Sequence, residues 1–100
     1  MKKRFVVGIN APSDQAVQSI RDFFRSKKYG WWNWITNFWL VIDWEGKLSA
    51  GELRDELGKI VPGENILVLD VSDSRGWSGF GPSTDKANMF KWIQERWSRK

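Results

Sequence analysis

The chain has 100 residues, 16 Lys and Arg against 12 Asp and Glu, eight Trp, and neither Cys nor His. That length suits one domain with its own core and no need of staples. Without Cys there is no disulfide, thiol nucleophile or Cys-based zinc site, and without His the commonest general base and most transition-metal sites are gone. Any catalysis would rest on carboxylates, Lys, Tyr, Ser, Thr or a hard metal ion.

The basic start, Met1 to Arg4, leads into Phe5–Ile9, an apolar run too short for a signal-peptide core and followed by no small-residue cleavage site. No stretch approaches the ~20 apolar residues of a membrane span. The expectation is a soluble cytoplasmic protein without membrane partners. Residues 3–10, apolar on both faces through Phe5, Val7 and Ile9 and through Val6 and Gly8, predict a central strand. Ala11-Pro12-Ser13-Asp14 turns the chain, with Ser13 or Asp14 as N-cap, and Ala16, Val17, Ile20, Phe23 and Phe24 follow at helical spacing. The other side of that helix carries Arg21, Arg25 and Lys28, and the helix is expected to stop near Gly30.

Trp31–Asp43 reads WWNWITNFWLVID, two short strands joined at Thr36-Asn37. Trp32 and Trp34 share one face of the first, and Phe38, Leu40 and Ile42 share one face of the second. Ser49 and Glu52 form a capping box ahead of a helix with Leu53, Leu57 and Ile60, ended by Pro62-Gly63. Residues 65–71 are a further apolar strand. The order strand, helix, strand, strand, helix, strand predicts an α+β, ferredoxin-like βαββαβ antiparallel sheet in a single domain, residues 1–100. After the loop Gly76-Trp77-Ser78-Gly79-Phe80-Gly81-Pro82, an additional C-terminal helix is expected over 83–100, with Met89, Phe90, Ile93 and Trp97 on its apolar side and Lys91, Arg96, Arg99 and Lys100 towards its end.

Charge is unevenly placed: net +5 over residues 1–30, −5 over 43–73 and +4 over 74–100. The stripe Arg21, Arg25, Lys28, with Lys2, Lys3 and Arg4 beside it, is the candidate for phosphate contacts by DNA or RNA, against the alternative of an ordinary solvated helix face. Asp43, Glu45, Asp70 and Asp73 lie near strand ends, where two carboxylates could hold a hard divalent ion, or where turns attract Asp for local hydrogen bonds. The glycines of the 76–81 loop match neither phosphate-loop nor dinucleotide spacing, and Lys86 is not next to the last of them. Trp32, Trp34, Trp39, Trp77 and Phe80 are candidates for packing or self-association, or for a base-stacking platform; Trp31 and Trp32, being adjacent, must point to opposite faces.

The WWNWITNFWLV block, with Trp31, Trp32, Trp34 and Trp39 at its distinctive spacing, the LRDEL helix, the ENILVLDVS strand and the later GWSGFG together resemble the SinR-like group of small bacterial ferredoxin-fold proteins. That group is similar in turn to the small dimeric CRISPR-associated proteins, some of them metal-dependent nucleases. The resemblance implies a βαββαβ protomer and a homodimer. In the nuclease-like relatives an Asp ending the first strand would bind the metal; here Asn10 stands at that position, and two facing amides lack the charge that draws Mg²⁺. Three readings stand open: a non-catalytic homodimer that binds nucleic acid through the basic helix face, a protein-interaction or inhibitor module of a mobile element or defence system, and a metal-dependent nuclease. No cofactor is expected.

Overall fold

The computed structural model describes residues 1–10, 12–74, 76–84 and 87–98; the expectations for Ala11, Lys86, Arg99 and Lys100 lie outside them. Four strands, β1 (Lys3–Ile9), β2 (Gly30–Ile35), β3 (Phe38–Asp43) and β4 (Ile66–Asp70), form one antiparallel sheet in the order β2-β3-β1-β4. Helices α1 (Asp14–Ser26) and α2 (Ala50–Ile60) lie on one face. A third helix, α3 (Met89–Trp92), continued by a π-helical turn over Ile93–Trp97, lies on the other.

The alternation of β1 decides which residues meet which layer. Phe5, Val7 and Ile9 face α1 and α2 and pack with Ile20, Phe24, Leu53 and Leu57; register places Trp39 opposite Val7 and Val41 opposite Phe5, so β3 adds both to the same core. The opposite face gives Trp32, Leu40 and Ile42 to a second cluster closed by Met89, Ile93 and Trp97. The adjacent indoles of Trp31 and Trp32 accordingly divide, Trp31 against Trp39 on the α1 side and Trp32 on the α3 side.

The caps follow the local sequence. Ser13 Oγ accepts from the Ala16 N–H, and Ser49 with Glu52 forms the reciprocal capping box. Helix α1 ends earlier than Gly30: Lys28 takes the left-handed conformation at φ 60° and Gly30 opens β2 instead. A Cβ at Gly30 would stand 3.1 Å from the Trp44 ring, a tight approach that the ring would have to relieve by a small shift. The last helix begins at Met89 rather than 83, since Ser83 bridges Asn88 and the Met89 N–H donates to the Pro82 carbonyl at 2.8 Å. Gly81 is pressed so closely against Met89 that a Cβ would meet its sulfur at 2.3 Å, and Asn88 then caps Phe90 and Lys91. Among the described residues no helix is long and apolar enough to cross a membrane.

Candidate nucleic-acid interface

The basic residues separate into two groups with different fates. Arg4 belongs by register to the α3 face, and its side chain is only 1% exposed. Its guanidinium donates to the carbonyls of Ser72 at 2.7 Å, of Trp97 at 3.3 Å and of Ser74, and lies over the Trp97 ring. Lys2 donates to the carbonyls of Arg96 and Trp97, so these two cations meet the carboxyl end of the C-terminal helix, where its dipole favours them. Lys3 donates to the Leu48 carbonyl at 3.0 Å. The amino-terminal bases therefore fasten β1 to its surroundings, and Arg4 is withdrawn from the surface on which a phosphate contact was expected.

On α1 the arrangement is different. Arg21 and Arg25, one turn apart, both lie over the Trp31 ring, with guanidinium carbons 5.6 and 5.7 Å from its centroid. Arg25 makes an exposed 3.4 Å pair with Asp22, worth little in water. Arg21 pairs with no acid among the described residues, and its Nε is buried without an acceptor. Lys28, beyond the helix end, is exposed. At the β2 edge Arg21 lines an open recess of about 440 Å³ with Trp31, Trp32, Asn33, Trp34 and Trp92. The ladder between β2 and β3 shifts register between Trp32 and Ile35, and Trp34, within that irregularity, is 45% exposed. Asn33 spans it, its amide N–H groups donating to the carbonyls of Ile35 and Phe38 at 2.9 Å.

The metal candidates do not come together as one set: Asp70 and Asp73 line one open recess and Asp43 another. Asn10 follows the last residue of β1, whereas Asp43 pairs with Lys3 at its other end, roughly 20 Å away along the strand. Both carboxylate oxygens of Asp43 accept backbone N–H groups, from Glu45 at 3.1 Å and from Lys47 and Leu48 at 2.7 Å, which shapes the loop before α2. Asp70 accepts from the hydroxyl and the backbone N–H of Ser72, and these bonds, the hydroxyl's first, hold its carboxyl below the ordinary carboxylate range. Asp73 is exposed two residues beyond the strand-end pair Asp70 to Val71. Among the described residues no group of three or more His, Cys, Asp or Glu could hold a metal ion. Burial, and after it the acids Asp43, Glu52, Glu56 and Glu45, push the Tyr29 phenol above its usual range.

Of the candidate interface residues, Trp39 is wholly buried and Trp32 nearly so, its indole N–H donating to the Met89 carbonyl at 3.0 Å. Trp39 cannot meet a partner, and Trp32 is exposed only slightly, where it lines the β2-edge recess. Trp34, Trp77 and Phe80 are exposed, Trp77 stacking on Phe90 with centroids 6.0 Å apart. Two residues overlooked in the sequence join them: Leu67 and Leu69 are 63% and 48% exposed. Their alternation in ILVLD was the available signal, but it does not say which sheet face the C-terminal helix leaves bare. Trp92, which lines the recess beside Trp34, lies outside the apolar series Met89, Phe90, Ile93 and Trp97 that marks the last helix in the sequence. No family model matches the chain, and no curated protein or solved structure does either.

Proposed function

We propose that the chain is a non-catalytic, cytoplasmic nucleic-acid-binding module of ferredoxin-like architecture that works as a homodimer. The observation that carries the binding reading is the Arg21 and Arg25 pair held over Trp31: two guanidiniums are oriented by one ring, and Arg21 forms no ion pair among the described residues. Such a pair contacts phosphates at little ordering cost, because the side chains are already placed. Lys28 extends the same stripe, while Lys2, Lys3 and Arg4 serve the fold. In support of the ferredoxin-like reading, β3 lies between β1 and β2, and β1 between β3 and β4, as two interlocked βαβ units require. The SinR-like resemblance belongs to the same proposal.

The homodimer is supported by the β4 edge. The Val71 N–H donates to the Arg4 carbonyl and the Asn10 N–H to the Asn65 carbonyl, so odd-numbered residues of this strand bond to β1. Ile66, Val68 and Asp70 then direct their backbone groups outward. Antiparallel pairing of two copies about Val68 sets Val68 opposite itself and Ile66 opposite Asp70, with Leu67 and Leu69 of both copies on one face, a self-complementary contact of the kind a two-fold axis demands. The edge ILVLD has no Pro or bulge to discourage pairing, unlike β2.

Retention of a labelled oligonucleotide, followed against salt concentration, tests the function: affinity that falls as salt rises is expected, and no affinity, or affinity indifferent to salt, overturns it. A second reading, a protein-interaction or inhibitor module, draws on the exposed Phe80 and Trp77 beside the groove between the sheet and α3. A pull-down that returns only the protein itself counts against it. The nuclease reading has the least support, since Asp43 already spends both oxygens on backbone N–H groups.

A further inference from the structure

We propose that the recess at the β2 edge receives one unpaired base, so that the chain prefers single-stranded nucleic acid to duplex; this rests on the nucleic-acid reading above. Six residues line it, Arg21, Trp31, Trp32, Asn33, Trp34 and Trp92, with no acid among them, and Trp34, 45% exposed, is the indole most open to a base. Indole faces bind any base by stacking, and the absence of carboxylates leaves nothing to repel the attached phosphates. Adjacent tryptophans of a strand point to opposite faces, so Trp31 and Trp32 can line one recess only around an outer edge, and β2 is the edge strand. The register shift after Trp32 holds Trp34 half-exposed at the same place, and Trp92 of α3 adds a fourth indole. The volume, about 440 Å³, falls in the range of small-molecule sites. With a base in the recess, its flanking phosphates fall beside Arg21 and Arg25 of α1. A paired base is stacked within its duplex and reaches such a recess only by being extruded, which costs a few kcal/mol.

The test compares fluorescein-labelled dT12, rU12 and a 12-base-pair duplex by anisotropy on wild type, Trp34→Ala, Trp34→Phe and the double variant Arg21→Ala/Arg25→Ala. Wild type is expected to bind a single strand at least about tenfold tighter than the duplex. Trp34→Ala should lose about tenfold for the single strand, a contribution towards the lower end of the stacking range, and nothing for the duplex, with Trp34→Phe keeping most of the affinity. The dT12 and rU12 arms show whether DNA or RNA is held better. Equal binding of single strand and duplex, or a Trp34→Ala loss that is absent or the same for both, overturns the recess proposal while leaving phosphate binding intact. If the Trp34→Ala chain does not fold, Trp34→Phe decides through intrinsic fluorescence, since oligonucleotide quenching unchanged from wild type overturns the proposal. Absence of all binding, or binding indifferent to the arginine substitutions, overturns the function proposal itself.

Discussion

The Arg4 guanidinium lies 5.2 Å from the centroid of the Trp97 ring and donates to that residue's carbonyl at 3.3 Å, joining the first strand to the last helix. With further bonds to Ser72 and Ser74, one buried cation ties two backbone segments, residues 72–74 and the end of the last helix, to its own strand on the α3 face. Arg4→Met keeps most of the apolar stem but strands those carbonyls. We expect a loss of about 3 kcal/mol in urea unfolding, with oligonucleotide affinity of the folded variant unchanged. A loss below about 1 kcal/mol, or a weakened affinity, would return Arg4 to the surface role.

Asp43 shapes the 43–48 loop by accepting three backbone N–H groups. Asp43→Ala should cost roughly 2 kcal/mol, because three part-buried N–H donors lose a charged acceptor. Mg²⁺ or Mn²⁺ at millimolar concentration should leave the thermal midpoint of wild type where it is. A rise of several degrees that Asp43→Ala abolishes would instead mark this carboxylate as a metal ligand.

For the β4 edge, Val68→Pro removes an outward N–H without breaking the β1 ladder, and Leu67→Lys/Leu69→Lys places four charges at the two-fold contact. Sedimentation should find wild type dimeric and both variants monomeric. A monomeric wild type, or variants that stay dimeric, dismisses the edge pairing.

Asp70 supplies a pH signature. Its carboxyl is held below the ordinary range by Ser72, so the folded state binds that proton more weakly than the unfolded chain. The stabilisation is present above the unfolded value of about 4 and is lost as pH falls through the lower folded value. Thermal unfolding between about pH 5 and pH 2 should therefore show a steeper decline for wild type than for Asp70→Asn. Parallel curves would contradict the coupling.

Patterning made the elements legible because period-two and helical spacing report burial directly: Phe5, Val7 and Ile9 alternate into the core, and Ser49 with Glu52 caps α2 as expected. Two kinds of feature were hidden. Arg4 looks like part of a basic arm because its partners, Ser72, Ser74 and Trp97, are 68 or more residues away and accept its guanidinium bonds through carbonyls, which every residue carries. The start of the last helix was misplaced because Pro82, Ser83 and Asn88 close a bridged loop whose hydrogen bonds have no periodicity. The aromatic block was legible as two strands, yet its recess was not: Trp92 reaches it from another element, and only the edge position of β2 lets Trp31 and Trp32 share it.

The most direct test of the central claim is the slope of log affinity against log salt for a single-stranded oligonucleotide, measured for wild type and for Arg21→Ala/Arg25→Ala. Each phosphate contact contributes about 0.7 to that slope for a single strand, so the double variant should bind more weakly with a slope shallower by roughly 1.4. Identical slopes for the two proteins would mean that the paired guanidiniums over Trp31 touch no phosphate, and would contradict nucleic-acid binding through α1.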